Sequence, residues 1–577
     1  MEGNIYRSVY CGNVDINYVG KEVRVAGWVE QKRNLGGLVF ITLRDETGVV
    51  QLISEDIDKF KDLTRESTIT VTGTVRKRAE GMENKNMKTG EIEILIKDFE
   101  ILGLAANVLP FEISRSREAN EDTRLKYRYL DLRNPKNHDN ILLRSKVIDY
   151  IRTLMKDMDF TEISTPIIST SSPEGARDFV IPARNFKGKF YALPQAPQIY
   201  KQLLMVSGFN RYFQIAPCFR DEDCRADRTL EFYQLDLEMS FVTEEDVFKV
   251  GEKVFYETFK KFSDKEVSPA PFKRISWAES MLKYGTDKPD LRNPLVITEL
   301  TDILSKMDFA PFKDTTIRGI KVDTIDKSNS WFKQMEEYVK SIGGVLSYIK
   351  VNEDMTFKST LDKFMTDSVR DELKSVLELK PGNVLFVIAD KKKCAKILGS
   401  LRTKLGEELE LIDKNRFEFC IIYDFPMYEW NEEENRWDFE HNPFNMPRGG
   451  LEALKGDPAK IVANQYDFVC NGNEMASGAV RNHDVEIMKK AFAIAGYDEE
   501  VIKKKFRSLY TAFQYGAPPH AGMAPGIDRI IMLLTGEENL REVQVFPPNV
   551  SGADLLMGGP NELEECQLRE LHIKVRD

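Results

Sequence analysis

The stretch Arg211–Ser240 constrains the fold more than any other part of the chain. Its first half alternates, with Phe213, Ile215 and Phe219 on one face and Gln214, Cys218, Arg220 and Glu222 on the other. Its second half sets Tyr233, Leu235, Leu237 and Met239 against Phe232, Gln234, Asp236 and Glu238. A period of two predicts strands with one buried face. The charged run Asp221–Arg228 then joins them as an antiparallel pair. A solvated sheet face is the usual account of such a polar side. Here, however, that side presents Arg220, Glu222, Phe232, Gln234 and Asp236, a mixture of single cation, carboxylate, aromatic and amide groups. These are the parts of a pocket for a nucleotide and an amino acid: phosphate clamp, metal ligand, adenine platform and amine acceptor.

The first 105 residues predict an all-β module. Val23–Val29, Leu38–Arg44, Val49–Ile53, Thr68–Val75 and Glu91–Lys97 are short runs of strand type, and Asp45-Glu46-Thr47-Gly48 is a turn between the second and third. Ile69, Val71 and Val75 face one way and Thr68, Thr70, Thr72 and Thr74 the other, which suits a small five-stranded barrel. In the second run Val39, Ile41 and Leu43 point inward. Phe40 points out beside Thr42 and Arg44, either as a stacking platform for an unpaired base or as a ring covered by a neighbouring loop. Gln51 and Glu93 are placed to read base edges, and Lys32-Arg33 and Arg76-Lys77-Arg78 to meet phosphates.

Two further segments carry chemistry. Asn471-Gly472 is a two-residue hairpin signal that pairs Glu474 with Val469 and sets Asp467 on the diagonal. Carboxylates at that spacing, roughly 7–8 Å between backbones, can share a Mg²⁺ with a triphosphate, or can be two surface acids. In Gly522–Leu534 an apolar run is broken by Gly526 just before a helix, and Arg529 falls in its first turn, where a phosphate is well placed.

Composition bounds the class. The chain has 577 residues and a net charge of −11, which argues against a dedicated nucleic-acid coat but not against a local site. At ~150 residues per domain, about three to four domains are expected. No apolar run is long enough to span a membrane. The seven cysteines form no CxxC pair and read as reduced thiols of a cytoplasmic protein, and no secretory signal is visible. Residues 295–416 are rich in Lys, Asp and Glu and carry none of the suggestive residues. They read as an insertion that splits one domain.

Together these segments resemble the class II aminoacyl-tRNA synthetases, and among them the bacterial-type aspartyl-tRNA synthetases, over nearly the whole chain. The resemblance rests on LKYRYLDLR at Leu125–Arg133, STPIIST at Ser164–Thr170 with Pro166, SPEGARDF at Ser172–Phe179 and QAPQIYKQLLM at Gln195–Met205. FRDEDCRADRTLEFYQLD at Phe219–Asp236 matches the second class signature and APGIDR at Ala524–Arg529 the third.

The resemblance implies an α+β multidomain fold. An N-terminal OB-fold anticodon-binding barrel (1–105) and a linker (106–120) precede an antiparallel-sheet catalytic domain (121–294 and 417–577), split by an inserted GAD-type α+β domain (295–416). It implies activation of L-aspartate with ATP and transfer to the 3′ end of tRNA(Asp), by a homodimer. Arg220 would hold the aspartate α-carboxylate and the ATP α-phosphate, with Asp221, Glu222 and Thr229 around the nucleotide. Phe232 would stack on adenine, and Gly526, Ile527, Asp528 and Arg529 would cover it and the γ-phosphate. Asp467 and Glu474 would hold Mg²⁺. Lys201 and Arg481 would bind the substrate's side-chain carboxylate. Gln198, Gln234, Asp236 and His441 would line the amino-group pocket, with Glu174 closing over it. Phe40, Gln51 and Glu93, with Arg33, would meet the anticodon.

Two cations at one small carboxylate would reject asparagine, whose amide leaves both unpaired. That argues against an asparagine enzyme, and the intact phosphate clamps argue against an idle RNA-binding relative. Two positions depart from the pattern: Asn442 stands where many bacterial members have a second histidine, and Ala196 where serine is frequent. Members differ over whether they also charge tRNA(Asn). Leu35 leans toward strict discrimination and Gly81 toward the relaxed type.

Overall fold

The computed structural model describes residues 3–171 and 175–576. The expectation for Glu174 lies outside the described residues. Two compact units are present, Met1–Ser116 and Arg117–Asp577.

In the first unit, five strands close into a barrel: Glu22–Leu35, Leu38–Asp45, Gly48–Ser54, Thr68–Lys77 and Ile92–Gly103. Its interior is Val25, Val39, Ile41, Leu43, Leu52, Ile69, Val71, Val75 and Ile94, the inward set of each alternation. The first strand runs well past Val29. A register shift between Val29 and Gln31 bends it, and Gly36 and Gly37, at φ +59° and +83°, close its hairpin to the second strand. Asp45 and Gly48 pair across the next turn, where Asp45 Oδ1 accepts from the Thr47 N–H at 2.8 Å and the Thr47 hydroxyl at 2.7 Å.

The second unit is organised by an eight-stranded sheet. Its order is Lys273–Ser276, Phe419–Pro426, Val462–Cys470, Asn473–Val480, His520–Pro525, Glu231–Ser240, Arg211–Phe219 and Thr161–Glu162. It is antiparallel except at the two edges, where the outermost strand runs parallel to its neighbour. Three helices cover one face. Pro135–Asp157 begins with proline after an Asn134 cap, Glu244–Phe262 has a Thr243/Asp246 capping box, and Ile527–Thr535 follows Gly526. Val147, Ile151, Phe248, Phe255, Ile530 and Ile531 from these helices pack with Phe213, Leu235, Leu237, Phe419, Tyr466, Phe468 and Met523 from the sheet. The other face is apolar at one edge, where Ile275, Cys420, Ile422 and Val469 form a buried cluster, and polar along Glu231–Ser240, where Gln234, Asp236 and Glu238 stand.

The Leu125–Arg133 segment is tied to the chain's far end by ions. Arg124 bonds Asp131 and Glu542 at 3.1 and 2.8 Å, and the fully buried Arg128 reaches Asp131 at 2.5 Å and the Gln544 carbonyl at 2.8 Å.

Between the two halves of the large sheet's sequence lies a five-stranded antiparallel sheet, ordered Ile297–Glu299, Ile317–Val322, Val384–Ala389, Leu346–Val351 and Phe357–Lys358. It has an apolar cluster of its own on each face, one with Phe332, Ile320, Phe386 and Leu401 and one with Leu300, Leu373, Leu385 and Val387. Arg402 pins this region to the approaching chain, donating to the carbonyls of Leu295, Asn293 and Asp290 at 2.6, 2.6 and 2.9 Å. No helix among the described residues is long and apolar enough to cross a membrane.

Candidate active site

On Glu231–Ser240, the residues Leu235, Leu237 and Met239 enter the helical core, so the pleat turns Phe232, Gln234, Asp236 and Glu238 to the open face. The neighbouring strand sets Cys218 beside Phe232, Ala216 beside Gln234 and Gln214 beside Asp236. Arg220 and Glu222 follow directly where that strand ends.

One end of this face is a buried ion network. Lys201, on the helix Gln198–Val206, is 1% exposed. Its ammonium donates to Asp236 Oδ1 at 2.5 Å and lies 3.6 Å from Glu238 Oε2. Arg481 grips Glu238 with both arms of its fork, Nε to Oε1 at 3.0 Å and Nη2 to Oε2 at 3.3 Å. Glu238 thus stands between the two cations, and the expected pair of positive charges is met by two carboxylates. Burial drives the Asp236 carboxyl up despite Lys201. Burial opposes ionisation of Glu238 too, but Arg481 and Lys201 hold it below its ordinary range. Asp236 Oδ2 and Gln198 Nε2 are buried with no protein partner. A buried acceptor and donor left open beside this network are set for the polar ends of a ligand.

The other end opens into a cavity of about 250 Å³ lined by Arg220, Glu222, Thr229, Phe232, Gln234, Glu474, Gly526, Asp528 and Arg529, among others. The Arg220 guanidinium lies 5.0 Å from the Phe232 ring centre, and its buried Nε has no partner. Arg529 donates to the Glu474 carbonyl at 2.7 Å, while Glu222 is paired with Arg228 at 2.8 Å. Three expected nucleotide contacts are engaged elsewhere. The Asp528 carboxylate takes Arg144 and the Tyr233 N–H at 3.1 Å, the Thr229 hydroxyl donates to the Glu231 carbonyl at 2.7 Å, and the Ile527 side chain is in the core. Asp221 offers its backbone, its N–H donating to the Arg177 carbonyl at 3.0 Å. Of these four, Thr229 and Asp528 line the cavity.

Asn471 and Gly472 have φ of +51° and +82°, as a two-residue hairpin turn needs, and the register pairs Glu474 with Val469 and Asp467 with Ser477. A shift between Phe468 and Val469 accommodates both. Asp467 is 4% exposed, and its Oδ1 has no partner. Burial first, then the Glu474 charge, raises its carboxyl well above the usual range. A buried carboxylate oxygen left open beside a second carboxylate is a hard-oxygen donor set that fits Mg²⁺, which takes one or two carboxylates and completes its shell with phosphate and water. No group of three or more His, Cys, Asp or Glu among the described residues forms a self-sufficient metal site.

His441 is within reach of the charges of Lys288, Asp287 and Glu474. Burial lowers its imidazole, helped by Lys288, while Asp287 and Glu474 act in the opposite sense. The Asn442 side chain caps its own turn, accepting from the Phe444 N–H at 2.8 Å.

In the barrel unit, Phe40 is half-buried on the outward side between Arg33 and Ile53. Gln51 donates to Glu93 at 2.8 Å, and Arg76 holds the other Glu93 oxygen at 2.8 Å. Leu35 is exposed at a hairpin tip, Gly81 sits at φ +81°, and Arg33 reaches Gln31.

Sequence reasoning passed over Glu238 and Lys288. Glu238 carried a signal, since it shares the strand face of Gln234 and Asp236. Lys288 carried none: it is remote in sequence from Glu474, yet 3.3 Å from it.

The family described as "tRNA synthetases class II (D, K and N)" matches residues 120–550, and the OB-fold nucleic acid binding domain matches 23–102. The chain belongs to the class II tRNA synthetases. It is an aminoacyl-tRNA ligase by family, with an OB-fold barrel ahead of the synthetase sheet. Relatives of this synthetase include proteins called aspartate–tRNA(Asp/Asn) ligase from Rickettsia bellii, 52% identical over 98% of this chain and 97% of theirs, and from Rickettsia akari, 51% identical over the same shares. Among solved structures, asparaginyl-tRNA synthetase from Pyrococcus horikoshii has a TM-score of 0.58 at 20% identity, covering 94% of this chain and 98% of that one. Aspartyl tRNA synthetase from Entamoeba histolytica has a TM-score of 0.55 at 20% identity, covering 92% and 89%. At these identities the solved structures speak for the fold.

Proposed function

We propose that this synthetase activates L-aspartate with ATP and transfers it to tRNA(Asp) and also to tRNA(Asn). The observation that carries the amino-acid choice is the Lys201–Glu238–Arg481 network beside the open Asp236 oxygen. The network is charge-balanced without substrate. An incoming aspartate adds an ammonium for the open Asp236 oxygen and a side-chain carboxylate for the Lys201–Arg481 edge, and so keeps the balance. Both amino acids also bring an α-carboxylate, which Arg220 would meet; asparagine then leaves its ammonium without a side-chain anion, and a buried excess charge is costly.

Activation joins an α-carboxylate oxygen to the α-phosphorus and breaks the bond to pyrophosphate. The nucleophile is already an anion, so no protein base is required. What is required is alignment and stabilisation of charge on the phosphoryl oxygens. Arg220, whose Nε is free and whose plane lies against Phe232, is placed to bridge the aspartate carboxylate and the α-phosphate. Phe232 offers its ring to adenine, and Arg529 offers its cation to the γ-phosphate. Asp467 and Glu474 would hold a Mg²⁺ that neutralises phosphate charge. Transfer then moves the aspartyl group from the adenylate to the 3′-terminal ribose and releases AMP.

Phe40, Gln51 and Glu93 are proposed to meet the anticodon, and residues 295–416 to form an inserted domain. The exposed Ile167 and Ile168 of the first signature segment support a homodimer, and the reduced-thiol composition supports a cytoplasmic location. Support for the wider tRNA range comes from the relatives' names and from Gly81. The test is charging of purified tRNA(Asp) and tRNA(Asn) with labelled aspartate. Both are expected to be charged, and charging of tRNA(Asp) alone would remove the second substrate.

A further inference from the structure

Lys288 faces the two carboxylates proposed to hold the metal. Its ammonium lies 3.3 Å from Glu474 Oε2 and 2.7 Å from Asp287 Oδ2. The loop that carries it is fixed from two sides. Arg402 donates to the carbonyls of Asp290 and Asn293 at 2.9 and 2.6 Å. The hairpin turn lies against it on the other side, where a Cβ on Gly472 would make ordinary contact, 3.5 Å, with the Asp290 Cβ. The ammonium is therefore delivered to this place by rigid neighbours. The Lys288 side chain is still 34% exposed, and its flexible stem leaves it a route back to solvent.

We propose that Lys288 is the built-in counter-ion of the Asp467–Glu474 pair, and that a divalent cation must displace its ammonium from Glu474 to be held there. The inference rests on the metal reading above. Two carboxylates on adjacent strands, one of them buried, repel each other, and a fixed cation relieves that repulsion in the absence of metal. A metal binds carboxylate oxygens at roughly 2.0–2.1 Å. An ammonium in contact with the same carboxylate would face it as a like charge at short range. Lysine and metal are thus alternatives at Glu474, and the lysine lowers metal affinity while keeping the pocket shaped.

The experiment titrates the full-length protein with Mn²⁺ alone, without ATP, and reads free Mn²⁺ by electron paramagnetic resonance. Lys288→Met is expected to bind Mn²⁺ about tenfold more tightly than the original chain, because a repulsive unit charge has been removed. Lys288→Gln, which keeps a polar end, should do the same if the methionine variant folds poorly. Lys288→Arg retains the charge and should stay near the starting affinity. Unchanged or weaker binding in the neutral variants overturns the proposal. Asp467→Asn separates the two readings: if it binds Mn²⁺ as well as the original chain, these carboxylates are not the metal site at all. Absence of binding to every variant overturns both.

Discussion

In the proposed reading, Glu238 sets the pocket's selectivity by sharing the two cations Lys201 and Arg481. Each of its oxygens accepts from Arg481, and Lys201 lies within 3.6 Å. With a neutral amide there, Arg481 and Lys201 would lose the fixed anion that orients them. Glu238→Gln is therefore expected to raise KM for aspartate about tenfold or more while KM for ATP stays within about twofold, since removing one member of a buried ion network acts on what that network binds. Steady-state kinetics with each substrate varied in turn checks this, and an equal loss for both substrates would mean a general collapse of the sheet face. The residue scale is also where the sequence was least complete. Arg220, Phe232, Asp236, Asp467 and Glu474 were legible because strand alternation and a hairpin signal set their faces. The pairing of Arg481 with Glu238, and of Lys288 with Glu474, joins residues distant in the chain and leaves no local pattern to read. Asp528 and Thr229 lay in the right motifs, but only the packing shows their side chains bound to Arg144, the Tyr233 N–H and the Glu231 carbonyl.

The hairpin Val462–Val480 is the element on which the metal reading depends. Its turn residues both adopt positive φ, and one of them is Asn and the other Gly, as such a turn favours. Gly472→Ala meets ordinary contact distances at its Cβ, so its cost is backbone strain, roughly 1–2 kcal/mol. Chemical denaturation should show a loss of that size, with Mn²⁺ affinity falling as the Glu474 register loosens. A variant as stable as the original would show that the turn carries no strain. The barrel strands were legible through their alternation, whereas the first strand's extension to Leu35 was not. A register shift and a Gly36-Gly37 turn prolong it beyond its apolar run.

At the scale of the molecule, a net charge of −11 coexists with an OB-fold nucleic acid binding domain, and the contacts proposed at Phe40, Gln51 and Glu93 would make recognition local. The barrel has its own core and its own candidate contacts, so its chemistry should be separable from activation. Phe40→Ala is expected to raise KM for tRNA about tenfold, the scale of one lost base-stacking contact, with adenylate formation unchanged. Loss of both activities together would instead make Phe40 a packing residue. The central claim concerns the other unit, a sheet face that recognises aspartate by a balanced ion network and activates it with ATP. The most direct measurement is ATP–pyrophosphate exchange by the purified protein with single amino acids. Exchange is expected to depend on L-aspartate and to be absent with L-asparagine; exchange with asparagine, or with neither, would contradict recognition of aspartate by this network.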